Sequence, residues 1–137
     1  MKNYYVDILT PDKVVTTGIE ASSIKVETLR GEINILPDHT HLITSLFTGL
    51  LSVVDSDNKA HFFTVSKGIC KVLGNKIIIL SSDSLRPGEV NTEKVEQEST
   101  EIRDKLQKTD LMSDDDINSL YDKLDYNNAA LRLASLS

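Results

Sequence analysis

Apolar and polar residues alternate with a period of two in short runs over about the first 85 positions, and each run is closed by turn-forming residues. Strands with one buried and one wet face give this pattern. Residues 4–9 (YYVDIL) stop at Thr10-Pro11-Asp12-Lys13, where Pro presets a turn-compatible φ and Asp can bond its own backbone. Residues 23–27 (SIKVE) alternate, and Leu29-Arg30-Gly31-Glu32 turns the chain into 33–36 (INIL). Further strands are expected at 50–54 and 60–65, joined by the polar loop 55–59. Two more, at 69–73 and 76–80, are linked only by Gly74-Asn75, where Gly can take the positive φ of a primed hairpin turn. So many short strands with no helical run between them predict an all-β sandwich or flattened barrel.

The pattern changes at Leu85-Arg86-Pro87-Gly88-Glu89. Pro and Gly end the strand-rich part there, which sets a β-sandwich domain at 1–86, a linker at 87–90 and a helical segment at 91–137. Residues 91–108 are polar, with Val95, Ile102 and Leu106 as a thin apolar stripe, so a helix here needs a neighbour to cover it. Residues 109–112 form the bend. Ser113 stands three positions before Asp116, an N-cap arrangement, and three successive Asp residues suit the positive end of a second helix. In that helix Ile117, Leu120, Tyr121, Leu124, Asn128, Leu131 and Ala134 share one face. The expectation is an antiparallel two-helix hairpin whose stripe is covered by its own partner helix, the β domain or another protein.

Charge sharpens this division. The net charge is −6, yet residues 1–88 carry nine Lys/Arg against nine Asp/Glu, and residues 89–137 carry six against twelve. The excess is all in the helical tail. Without a basic patch, and with aromatics at 5% and no Trp, no nucleic-acid partner is expected. The longest apolar run, Ile77-Ile78-Ile79-Leu80, falls far short of the roughly 20 residues a membrane helix needs. Membrane association is expected only through a larger complex. The single Cys70, flanked by Ile69, Val72 and Leu73, reads as a core thiol in a reducing compartment.

Catalytic chemistry has one candidate, Asp38-His39-Thr40-His41. In an extended segment the two imidazoles would project to one side, as two metal ligands should, but a third ligand must come from elsewhere. His61 is the remaining histidine. No Ser/His/Asp arrangement, phosphate-cradling loop or paired Cys motif is present, and the glycines at 31, 49, 68, 74 and 88 are read as turn punctuation. Protein binding is the expected activity, and no catalytic, metal or cofactor residue is assigned.

Residues 31–43, GEINILPDHTHLI, resemble the glycine, acidic, apolar and Pro-x-His segment of the epsilon subunit of F-type ATP synthases. Thr48-Gly49-Leu50 resembles that family's Pro-Gly before its middle strands, and residues 63–80, FTVSKGICKVLGNKIIIL, its strand, Gly-Gly, strand, turn, strand block. The resemblance implies a bacterial-type central-stalk rotor subunit of the proton-translocating enzyme, with no reaction of its own. It would couple gamma to the c-ring and restrain ATP hydrolysis through its C-terminal helices, as a peripheral protein on the cytoplasmic face of the bacterial inner membrane. Carried over residue by residue, Glu32 would lie in the loop facing the c-ring, and Thr10, His39 and Thr44 on the face meeting gamma. Lys123 and Arg132 are the bases that would meet the catalytic alpha/beta subunits.

The sequence also departs from the family. Asp38 and His41 stand where Gly and Pro are usual, and positions 90–95, VNTEKV, replace the ATP-binding pattern of Ile or Leu, Asp, two variable residues and Arg-Ala. Without the carboxylate, and with Lys for the planar Arg fork, tight ATP binding is not expected. With only two bases in the second helix, self-inhibition is expected to be weak. An unrelated β-sandwich adaptor, and behind it a histidine-dependent metal enzyme, are the alternatives.

Overall fold

The computed structural model describes residues 4–28, 30–35, 42–108 and 110–136. Among these, eight strands precede two helices: β1 (Tyr4–Leu9), β2 (Val14–Thr28), β3 (Gly31–Ile35), β4 (Leu42–Leu46), β5 (Gly49–Asp55), β6 (Ala60–Val65), β7 (Gly68–Leu73), β8 (Lys76–Ser81), α1 (Thr92–Leu106) and α2 (Asp114–Ser135). The strand order is β4-β7-β8-β1-β2-β5-β6, with β3 on β2, and only the β1–β8 pair is parallel.

The 15-residue β2 makes this one folded-over sandwich. Its first half pairs with β1, whereas its second half lies between β3 and β5. The change of partner falls between Ala21 and Ile24, where the register of β2 on β5 shifts, and the first half carries a separate bulge with a local cause. Gly18 holds φ +69, and the Asp7 carboxylate accepts from its N–H at 2.8 Å and from the Thr17 hydroxyl at 2.9 Å. The register of β1 on β2 shifts at the same place, a bulge that bends the strand. These hydrogen bonds and Lys76 hold the Asp7 carboxyl below its usual range against the opposing effect of burial, the largest single influence.

The core follows the alternation seen in the sequence. Val6 and Ile8, Ile24 and Val26, Leu51 and Val53, Phe63 and Val65, Cys70 and Val72, and Ile77 and Ile79 are buried pairs two apart, all in one cluster. Tyr4 is fully buried with them, and its hydroxyl donates to the Ile35 carbonyl at 3.0 Å, tying β1 to β3. Burial pushes its phenol up to about 12 and the Cys70 thiol up to about 11, so both stay neutral and inert at physiological pH.

Two glycines differ from the reading of them as turn punctuation. Gly49 and Gly68 open β5 and β7, and neither has a positive φ. A Cβ at Gly49 would overlap the Glu27 carbonyl oxygen, and one at Gly68 that of Leu80. They are glycine because neighbouring backbone occupies the space. Gly74, by contrast, has the expected positive φ of +69 in the β7–β8 turn.

Beyond β8 the chain stays on the sandwich. Thr64 N–H donates to the Leu85 carbonyl at 3.1 Å, the Arg86 guanidinium to the Val15 carbonyl, and Lys13 pairs with Glu89 at 3.2 Å. A single 3-10 turn, Pro87–Glu89, leads to α1. Asn91 caps α1 by accepting from Lys94 N–H at 3.2 Å, and Ser113 caps α2 through Asp116 N–H at 3.1 Å, as its spacing predicts. The helices pair with each other, and α2 lies on β5 and β6.

Candidate functional site

The sandwich presents two outward faces with different chemistry. On the β4-β7-β8-β1 side, one cross-strand row runs Ile43, Lys71, Ile78, Asp7, and the next runs Ser45, Ile69, Leu80, Leu9. Ile43 is 66% exposed and Ile69 42%, so apolar side chains stand in water on strands whose other face already fills the core. Beside these rows opens a groove of about 760 Å³ with a mainly apolar lining that includes Leu9, Pro11, Leu46, Phe47, Ile69 and Leu80. No helix covers it.

On the other side, the outward row Glu27, Leu50, Thr64 crosses β2, β5 and β6, and α2 is laid along it. Spacing of three on α2 matches this row. The Thr64 hydroxyl donates to Tyr126 Oη at 2.8 Å, Leu50 and Ala129 line one cleft, and Arg132 pairs with Glu27 at 2.8 Å. One turn earlier, the Thr48 hydroxyl donates to Asp122 at 2.7 Å. Both threonines also accept from backbone, Thr64 from Leu85 N–H at 2.8 Å and Thr48 from Lys67 N–H at 3.2 Å. Each hydroxyl therefore couples a main-chain donor to the helix. Burial first, and the neighbouring Asp83 and Glu89 charges, push the Tyr126 phenol well above its usual range, which keeps it neutral.

This interface gives a direct prediction. In Thr64→Val the Leu85 N–H loses its side-chain acceptor and Tyr126 loses its link to β6, keeping only Asp83, at a cost of about 1–3 kcal/mol to docking of the hairpin. Limited proteolysis should then nick the helices while the sandwich stays resistant.

The residues singled out in the sequence are dispersed. Thr10 lies in the β1–β2 turn, lines the apolar groove and accepts from Lys13 N–H at 3.3 Å. Thr44 is in register with the buried Cys70, yet it is exposed because β4 is an edge strand. Glu32 is in strand β3, not in a loop, and pairs with Lys25 at 3.1 Å. Lys25 also meets Glu27 at 3.4 Å, so Glu32, Lys25, Glu27 and Arg132 form a line of alternating charge from β3 to α2. Lys123 is turned to α1, where it pairs with Glu98 at 3.0 Å. His39, with Asp38 and His41, lies outside the described residues. His61 binds Asp55 at 2.8 Å, and among the described residues no three His, Cys, Asp or Glu side chains could hold a metal ion.

The predicted face of α2 is displaced. Ile117, Leu120, Leu124, Leu131 and Ala134 are only half-buried, and Tyr121 and Asn128 are exposed. Full burial falls at Asn127, Ala129, Ala130 and Leu133, and Asn127 donates to Glu98 of α1 at 3.5 Å. Sequence reasoning missed Thr48, Thr64, Asp122 and Tyr126 because polar residues on a strand's outer face or a helix ordinarily signal solvent. The available signal was Thr64 opposite Leu50, on the outward side of two strands.

An apolar sheet face with an open groove and a second face closed by a polar-seamed hairpin define a β-sandwich protein with one uncovered and one covered face. Residues 3–87 match the ATP synthase delta/epsilon chain β-sandwich domain. The ATP synthase epsilon chain of Brevibacillus brevis is 33% identical over 94 residues, covering 69% of this chain and 70% of its own length. That of Sulfurihydrogenibium sp. is 30% identical over 112 residues, covering 82% and 83%. A chain in the Euglena gracilis mitochondrial ATP synthase, solved as OSCP, F1 and c-ring, superposes with a TM-score of 0.77 at 19% identity, covering 100% of this chain and 83% of that one. A chain of the Tetrahymena thermophila central stalk and c-ring gives 0.56 at 15%, covering 98% and 99%. The chain belongs to the delta/epsilon family of ATP synthase, a structural and regulatory subunit with no catalysis of its own.

Proposed function

We propose that this chain is an epsilon-type subunit of the central stalk of a proton-translocating F-type ATP synthase, coupling gamma to the c-ring on the cytoplasmic side of a bacterial inner membrane. One observation carries the attachment: the groove and the exposed Ile43 and Ile69 form an apolar surface on the face opposite the hairpin. Gamma is its proposed occupant, because Thr10, one of the three residues the resemblance assigns to gamma, lines this groove. The sandwich is charge-balanced, so the contact rests on apolar burial and shape more than on opposite charge. Sedimentation of the purified chain with purified gamma tests this. A one-to-one complex is expected, and two separate species would contradict it.

The helices regulate, and their reach is limited by where their bases lie. Arg132 is engaged by Glu27 and Lys123 by Glu98, so both must leave partners before meeting acidic groups of the catalytic subunits. Restraint of hydrolysis is therefore weak.

Tight ATP binding is also absent from this reading. Asn91 stands at the position of the family's nucleotide carboxylate, and its side-chain oxygen is committed to capping α1. Lys94 stands at the Arg position without a planar fork for bidentate phosphate contact. Calorimetry of the free chain with ATP should give no micromolar binding, and micromolar affinity would refute this part of the account.

A further inference from the structure

Asp122 and Asp125 lie three positions apart on α2, so they are neighbours on its surface. Both line a cleft of about 420 Å³ between α2 and the turns of the sandwich, and Asp125 also lines the adjoining cleft of about 230 Å³ that leads to Glu27 and Arg132. Asp122 is held as a hydrogen-bond acceptor by Thr48 at 2.7 Å. Among the described residues no side-chain hydrogen bond or ion pair holds Asp125. We propose that Asp125 is a proton-responsive latch: taking up a proton strengthens docking of the hairpin on the sandwich, and ionising loosens it.

The surroundings support this. On its own helix Asp125 faces the Asp122 carboxylate, and Arg132 on the same helix is taken by Glu27 of β2. From the β2–β3 turn, Arg30 lines the larger cleft but stacks over the Phe47 ring at 4.5 Å. From the β6–β7 turn, Lys67 lines the same cleft. Neither forms an ion pair with Asp125, and α1 contributes no described residue to either cleft. Burial, and then the Asp122 charge, raise the Asp125 carboxyl above its usual range. A group raised in the docked state favours docking fully below its undocked titration range, and the benefit is lost as pH rises through the docked one. Acid therefore closes the hairpin.

The test uses the full free chain with donor and acceptor dyes on Asp57→Cys and Glu101→Cys, which leaves it independent of whether gamma binds. It is run in the wild-type sequence and in the Thr64→Val background, where looser docking widens the measurable range. Transfer reporting the docked state should rise as pH is lowered from neutral towards the ordinary carboxylate range near about 4, with unchanged circular dichroism. Asp125→Asn should stay docked with a flat profile, and Asp122→Asn should move the transition to lower pH. A flat profile in both backgrounds, or an undiminished pH response in Asp125→Asn, would overturn the latch while leaving attachment to gamma intact.

Discussion

Ile69→Glu is expected to weaken the complex with gamma by about 30-fold or more, the scale of a central interface side chain worth about 2 kcal/mol. Ile69 is 42% exposed, faces outward between Ser45 and Leu80, and lines the apolar groove. A carboxylate costs the free chain little there, because it meets water. In the complex it would be taken out of water against a mainly apolar lining, and that desolvation is what raises the cost. Titration of gamma with the variant measures the effect. Lys59→Glu, in the exposed β5–β6 turn away from the groove, should leave the affinity unchanged. Equal affinity for Ile69→Glu and the original chain would mean that gamma sits elsewhere.

The second large effect is on the fold itself. Gly49→Ala places a methyl group on the Glu27 carbonyl oxygen, and it cannot swing away because that oxygen belongs to the adjoining strand of the sheet. Strands β2 and β5 must part where Glu27 and Thr28 face Leu50 and Gly49, at a cost of about 3 kcal/mol. Urea unfolding should show a lower midpoint at an unchanged slope. Gly68→Ala should behave alike through the Leu80 carbonyl. Gly88→Ala, with no neighbour and no positive φ, should stay within about 0.5 kcal/mol of the parent.

These glycines mark where the sequence was legible and where it was not. Period-two alternation revealed β1, β5, β6, β7 and β8, since each buries residues two apart in a single core. The first half of β2 escaped because the Gly18 bulge breaks its alternation, so that Val15 and Ala21 are the buried residues of a run otherwise rich in Ser and Thr. Strand β4 escaped because Ile43, Thr44 and Ser45 are all exposed at a sheet edge. Helix α2 was legible from its cap, where the Ser113 side chain meets the Asp116 N–H, and α1 from its thin apolar stripe. Their faces were not, because α2 docks through Asp122, Tyr126 and Arg132 and buries Asn127. Hydrophobic periodicity finds apolar interfaces, whereas this one is stitched by hydroxyls and charges around small residues.

On the proposed function the two faces divide the work: an apolar one for gamma and a polar one for the hairpin. Capture of a tagged chain from detergent-solubilised membranes of its source organism tests the central claim most directly. The account predicts that gamma and the c subunits come with it in stoichiometric amounts, for the whole chain and for one ending before Glu89. Recovery of the tagged chain free of gamma and c subunits would contradict it.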